Sequence, residues 1–345
     1  MRAVRLHDYR TPLSIDEVPQ PDLQGPHDVL VRIGGAGVCR TDLHVIEGWF
    51  EEVMGPELPF ALGHENAGWV AAVGDQVTSV RVGDTVIAHP LATCGVCPGC
   101  RRGEDMYCVA GMFTGVNADG GYAEYLRTNE RALVVLPPSI DPVDVAPYAD
   151  AGLTAYRAVR KAAKVLQPGQ TAVVLGAGGL GHIGIQLLAA MTPARVVAVD
   201  RSEPARTLAT ELGAEAVFGS EDAVEGITEL TEGAGADLVI DFVVEHGTPQ
   251  QAVQLLGQGG TYSVVGYGAE LGIPTMEMVL KELTVVSTLV GNHTDLRELM
   301  ALVLREKVRL VTTRYDLEDA TTALDDLAGG RIRGRGVLVP GTTPA

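Results

Sequence analysis

A chain of 345 residues, 46% hydrophobic and 20% charged, has the composition of a folded globular protein with enough length for two cores. Its net charge of −18 argues against nucleic acid or an anionic membrane surface as partner. The opening MRAVRLHDYRTPLSIDEV holds no apolar core of signal-peptide length, so the expected compartment is the cytoplasm.

Taken in chain order, residues 1–151 read as short strands divided by Gly, Pro and Asp. RAVRL, LSIDEV, DVLVRIGGAGV, AGWVAAVG and DTVIA give a β-rich, barrel-like first domain with long loops. From 152 to 290 strands alternate with helices. TAVVL, RVVAV, AVF, ADLVIDFV, TYSVVG and LTVVSTLV are the strands. Helices are expected over 179–191, after Ser202 with Pro204 in the first turn and Gly213 beyond the end, and over TPQQAVQLLG. That alternation predicts an α/β, doubly wound parallel sheet. From 291 to 345 a helix (295–306), a short β segment, a helix near 317–327 and the strand RGVLVP are expected to complete the first domain. No internal repeat or heptad pattern interrupts this plan.

The stretch TAVVLGAGGLGHIGIQLLAAMTPARVVAVD, Thr171 to Asp200, carries the first chemical signal. Gly176, Gly178 and Gly181 form G-x-G-x-x-G between a strand and a helix, and Asp200 ends the next strand nineteen residues after Gly181. The first glycine permits a tight turn, the second lets backbone approach a pyrophosphate, and the third lets helix and strand pack closely. The helix start, with Gly179 and Leu180 before it, offers free N–H groups to phosphates. Asp200 is placed to accept the ribose hydroxyls of NAD. Two blander readings compete: a turn packing without a ligand, and a membrane span, since 171–192 carries no formal charge. The glycines and the strand-to-helix switch fit a single membrane helix poorly.

Five cysteines divide four and one. Cys94, Cys97, Cys100 and Cys108 fall within fifteen residues, a spacing at which four thiolates wrap one Zn²⁺ with no open position. Such a closed site staples a loop. Disulfides and an iron–sulfur cluster are the competing readings, both poorer in a reducing compartment. The fifth, Cys39 in GVCRTDLH, can pair with His64 in GHEN on a second metal, the third ligand coming from elsewhere. Taken alone, Cys39 also reads as a small buried side chain, and His64 as a satisfied histidine.

GVCRTDLH, GHE, the four-cysteine loop, LGAGGLG followed by Asp200, and the GRGVLVP ending, in this order, resemble the zinc-dependent medium-chain alcohol dehydrogenases over essentially the whole chain. The resemblance implies a GroES-like catalytic domain completed by the tail, a Rossmann coenzyme domain, and NAD with two zinc ions per chain. It makes Cys39, His64 and Asp150 the catalytic ligands, Asp150 standing where many members have cysteine. It puts Glu65 behind the metal and makes Asp42 the carboxylate that orients His64. Thr41 takes the position of a proton-relay hydroxyl and His44 that of its outer histidine; both also read as ordinary helix residues. Arg40 and Arg335 become pyrophosphate contacts, Arg201 an adenine neighbour, and Val265 and Gly266 part of the coenzyme cleft. Trp49, Phe50, Pro90, Leu91, Met112 and Phe113 fall near substrate-pocket positions, favouring an apolar alcohol. The implied activity is interconversion of alcohols and aldehydes or ketones, in a homotetramer or dimer. A polyol or amino-alcohol dehydrogenase and a non-catalytic NAD(H)-binding redox sensor are the rivals. His182, His246 and His293 have no matching role and are expected to be structural.

Overall fold

The computed structural model describes residues 1–341 apart from Ala163 and Val165. The chain divides into two compact units. One holds Met1–Ala151 with Asn292–Met300 and the stretch from Leu310 onward; the other holds Gly152–Gly291 with Ala301–Arg309. Within the tail, Ala301–Arg309 goes with the second unit because the Gln186 amide bonds both the carbonyl (2.9 Å) and the N–H (2.9 Å) of Arg309.

The first unit is built on the strand Asp28–Val38. Glu65–Val73 and Arg335–Val339 both pair with it antiparallel, with Gly37 opposite Glu65 and Gly336 opposite Val38. Tyr125–Asn129 pairs with its first half, and Thr85–Ala88, Leu133–Leu136 and Thr312–Asp316 extend the sheet. These strands bury Val29, Val31, Ile33, Val70, Val86 and Leu338 on one continuous core, and Asp28–Val38 is buried along most of its length, as a strand covered on both faces must be. The pairing has a functional result. The end of Asp28–Val38, which runs into Cys39, lies beside the start of Glu65–Val73, which follows His64, and beside Arg335.

The second unit is a six-stranded parallel sheet. Its order is Ala216–Phe218, Arg195–Val199, Thr171–Leu175, Ala236–Asp241, Leu256–Val264, Thr284–Ser287. Thr171–Leu175 is buried along its whole length, as a central parallel strand must be. The uncharged run after it splits into this strand and the helix Gly181–Met191, which begins two residues later than the pattern suggests. Among the described residues no helix is long and apolar enough to cross a membrane.

Candidate active site and metal centres

The helix Arg40–Ile46 starts directly after Cys39, and its third residue, Asp42, folds back on that start. Asp42 Oδ2 accepts the Cys39 backbone N–H (2.8 Å) and the Tyr122 hydroxyl (2.7 Å). Its other oxygen faces His64 Nδ1 at 3.3 Å. A carboxylate facing Nδ1 favours the proton there and so the lone pair on Nε2. That nitrogen points at Asp150, 3.5 Å from Oδ2.

Cys39, His64, Glu65 and Asp150 each offer one ligand atom, all within 4.8 Å of one another and all from buried residues. Glu65 reaches the cluster over Gly37, where a Cβ would lie 1.9 Å from Glu65 Oε2. One Glu65 oxygen is committed elsewhere: Oε1 accepts the Ala151 N–H (3.0 Å) and pairs with Arg335 at 2.5 Å. Burial would lower the pKa of Arg335, but the Glu65 carboxylate outweighs it and holds the guanidinium charged. Three buried carboxylates thus surround the thiol and the imidazole: Asp42 and Asp150 face His64, and Glu65 pairs with the buried Arg335. Buried charge of one sign is costly unless paired, and a divalent cation among these donors is its natural partner. His64 is fully buried, and neither ring nitrogen makes a hydrogen bond of good geometry. A sulfur, an imidazole nitrogen and a carboxylate oxygen are the mixed set that suits a catalytic zinc.

The second cluster differs in its donors and its exposure. Cys94, Cys97, Cys100 and Cys108 offer four sulfurs within 4.8 Å of one another. Cys97 and Cys100 Sγ lie 3.6 Å apart, far longer than a disulfide and near the ~3.8 Å edge of a tetrahedron with ~2.3 Å zinc–sulfur bonds. Backbone N–H groups point at the sulfurs: Cys97 N at Cys94 (3.4 Å) and Cys94 N at Cys108 (3.3 Å). Backbone N–H groups of Cys100 and Val109 hold the Cys97 thiol down to about 6, while burial pushes Cys100 up to about 12. The loop fits a structural zinc.

In the second unit each glycine of the motif meets a distinct demand. Gly176 has φ +84°, and a Cβ there would meet Val243 Cγ2 at 2.5 Å. Gly178 opens on empty space, which leaves its backbone accessible. Gly181 lies so close to the turn that a Cβ would stand 1.7 Å from the Gly176 carbonyl. Asp200 ties this turn to its own strand end, accepting the N–H groups of Ala177 (2.7 Å) and Ser202 (2.8 Å). Gly176, Asp200, Arg201, Ser220, His246 and Thr248 line a cavity of about 290 Å³. These features fit a dinucleotide.

Of the other expected site residues, Thr41 is half-buried and Arg40 exposed on the first turn after Cys39. His44 is buried and stacks on Trp49, ring centroids 4.2 Å apart. Leu91 and Phe113 are cross-strand partners, as are Ala92 and Met112, and the Thr114 N–H reaches Pro90 at 2.9 Å. Phe113 lies edge-on to the His64 ring at 5.8 Å. Phe50 is half-buried, while Trp49 and Met112 are exposed. Val265 and Gly266 donate their N–H groups to the Asp241 carbonyl. Arg335 is buried against Glu65. His246, expected to be structural, lines the cavity beside Asp200, whereas His182 bonds the Gly178 carbonyl and His293 that of Leu133. Tyr122 and Asp241 are missed by sequence reasoning. Each is a lone residue in an ordinary strand or loop; the partner of Tyr122 lies 80 residues away, and the bonds of Asp241 to Val243 and Val244 follow no residue pattern.

Comparison with known proteins bears on the family and the fold. Residues 25–138 match the alcohol dehydrogenase GroES-like domain, and 179–305 match the zinc-binding dehydrogenase domain. The NAD-dependent alcohol dehydrogenase of Sulfurisphaera tokodaii is 39% identical over 99% of this chain and 100% of its own. A D-arabinose 1-dehydrogenase (NADP(+)) of Saccharolobus solfataricus is 36% identical over 98% of this chain and 97% of its own. The crystal structure of the alcohol dehydrogenase from Aeropyrum pernix superimposes with a TM-score of 0.96 at 46% identity, covering 99% of this chain and 100% of that one. The chain belongs to the zinc-dependent medium-chain alcohol dehydrogenase family.

Proposed function

We propose that this protein is an NAD- and zinc-dependent dehydrogenase that interconverts alcohols with aldehydes or ketones by hydride transfer. The observation that carries this reading is the buried convergence of Cys39, His64 and Asp150, with His64 Nδ1 backed by Asp42. A zinc ion held by these three residues supplies Lewis-acid polarisation of the substrate oxygen, and NAD serves as hydride acceptor or donor. Asp42 keeps the proton on His64 Nδ1, so Nε2 faces the cluster. Thr41 accepts the substrate hydroxyl proton and hands it toward His44, which the Trp49 ring holds in place. Glu65, held by Arg335 and the Ala151 N–H, keeps its second oxygen beside the ligands. Asp200 accepts the ribose hydroxyls and disfavours a 2′-phosphate, so NAD is preferred although Arg201 stands next to it. Arg40 and Arg335 serve the pyrophosphate, with Val265 and Gly266 on the coenzyme wall. A second zinc on Cys94, Cys97, Cys100 and Cys108 is structural.

Trp49, Phe50, Pro90, Leu91, Met112 and Phe113 supply apolar surface, which favours an apolar or aromatic alcohol. The sugar-oxidising relative keeps a polyol substrate as the alternative. We further propose a cytoplasmic homo-oligomer, a tetramer rather than a dimer. Thr284–Ser287 is an edge strand, and Met276, Val279 and Leu280 are exposed just before it, a face suited to a second copy. The test is single-turnover absorbance of the reduced coenzyme with a panel of alcohols, polyols and carbonyls, using NAD and NADP. Turnover of simple alcohols with NAD is expected. Tight NADH binding with no turnover of any substrate would leave the redox-sensor reading instead.

A further inference from the structure

Seven non-glycine residues among those described have a left-handed φ, and one of them, Val244 at +51°, is β-branched and only 1% exposed. Such a backbone is an outlier for valine and persists only where its surroundings enforce it. His246 (φ +54°) and Gly247 (φ +85°) follow, so three of four consecutive residues are left-handed. This turn is one wall of the cavity that faces Asp200, since Val243, His246, Gly247 and Thr248 all line it.

The support comes from one buried residue. Asp241 ends the strand Ala236–Asp241 and is fully buried. Its Oδ1 accepts the N–H groups of both Val243 and Val244 at 2.9 Å. Its Oδ2 accepts the hydroxyl of Tyr262, itself fully buried, at 3.0 Å. The Asp241 carbonyl accepts the N–H groups of Val265 (3.0 Å) and Gly266 (3.1 Å), the turn after the neighbouring strand. The two turns interlock, since a Cβ on Gly266 would stand 2.5 Å from the Val243 carbonyl. The Val243 side chain in turn fills the space that a Cβ on Gly176 would need. One carboxylate therefore fixes the register between the glycine turn and the opposite wall.

We infer that Asp241 is a positioning residue for coenzyme binding: its carboxylate holds residues 243–248 in the left-handed shape that completes the adenosine end of the cradle. The inference rests on the coenzyme reading of the glycine turn. It asks for two acceptor sites aimed at Val243 and Val244, not for a negative charge near the coenzyme. Asparagine can present the same carbonyl oxygen to both N–H groups and turn its amide toward the Tyr262 hydroxyl. Alanine leaves two N–H groups and one hydroxyl without an acceptor.

The test uses the full-length holoenzyme and its Asp241→Ala, Asp241→Asn and Asp241→Ala/Val244→Gly variants. NADH affinity is read by fluorescence titration, the KM for NAD and kcat separately, and thermal unfolding without coenzyme. Asp241→Ala should weaken NADH binding by about 10- to 100-fold, the loss expected when buried donors go unmet. KM for NAD should rise in parallel, with kcat at saturation changed by no more than about twofold. Asp241→Asn should bind NADH within about threefold of the parent. Val244→Gly should restore about a third or more of the lost affinity on a logarithmic scale, because glycine takes a left-handed φ unaided. Parent-like binding by Asp241→Ala overturns the inference. So does a fall in kcat that merely tracks lost folded protein, or a Val244→Gly that rescues nothing. If Asp241→Ala does not fold, Asp241→Asn decides: retained affinity supports the acceptor role, and weak binding at an unchanged melting temperature refutes it. Failure of the parent itself to bind NADH would instead overturn the coenzyme reading.

Discussion

The two donor clusters of the first unit are made in opposite ways. The four cysteines come from fifteen consecutive residues, carry one kind of donor, and include an exposed member, Cys94. The other cluster gathers Cys39, the adjacent His64 and Glu65, and Asp150 from three separate stretches of the chain, all buried, with Cys39, His64 and Glu65 braced from behind. Asp42 braces His64 and Cys39; Arg335 and the Ala151 N–H brace Glu65; Tyr122 braces Asp42. Four thiolates saturate a tetrahedral ion and leave nothing for a substrate. Three donors of mixed type leave a position open, and the bracing residues set its chemistry. On the proposed function, contiguity makes a staple and long-range convergence makes a reactive site.

The sharpest way to break this contrast is to remove a ligand from the buried cluster. Cys39→Ser should cut turnover by about a thousandfold or more, the scale of several kcal/mol of lost Lewis-acid stabilisation. Elemental analysis should find one zinc fewer per chain, with the four-cysteine metal kept. Loss of both metals together would mean that the two sites are not independent. Mild chelation should act likewise, stripping the open site first and abolishing activity while most of the fold survives.

Asp150→Asn should come next, at about a hundredfold, with catalytic zinc and activity falling together. Asparagine caps a helix about as well as aspartate, so a silent Asp150→Asn would reduce Asp150 to a cap on Ala151–Ala162 and turn attention to Glu65. Asp42→Asn keeps the shape but weakens the hold on His64 Nδ1. A loss of about 10- to 100-fold in activity or metal affinity is expected, checked by kcat/KM and by competition with a metal indicator. Unchanged values for both would remove Asp42 from the centre.

The same division governs what could be read before the fold was seen. Thr171–Leu175, the glycine turn and the alternating strands after it are legible because each signal lies within a few residues of its effect. The family resemblance supplied Asp42 and Asp150, which spacing alone leaves open. Tyr122 could not be found, because its partner Asp42 lies 80 residues away and only strand pairing brings them together. Asp241 has its donors close by, at Val243 and Val244, but the need for them is a left-handed valine, which no residue pattern announces. Ser202 was legible as a cap position, yet no side-chain cap bond forms there; Asp200 takes its N–H instead, drawing the helix start toward the coenzyme turn.

The smallest effect on rate should come from the more conspicuous cluster. Cys100→Ser removes one of four sulfurs from a lobe that shares no ligand with Cys39, His64 or Asp150. The lobe is also held by hydrogen bonds that do not depend on metal: the Asn292 amide donates to the Gly103 carbonyl (2.7 Å), and the His293 N–H to Asp105 (3.1 Å). Turnover per folded molecule should therefore stay within about twofold of the parent, since no group in contact with the reacting atoms is altered. Stability should fall. A crosslink closing a fifteen-residue loop is worth about 3 kcal/mol, which for a domain of this size lowers the melting temperature by about 6–12 °C. Thermal unfolding beside single-turnover rates separates the two quantities. A large loss of rate at an unchanged melting temperature would mean that the closed sulfur site shapes the chemistry after all, and the contrast between staple and reactive centre would fail at its more legible end.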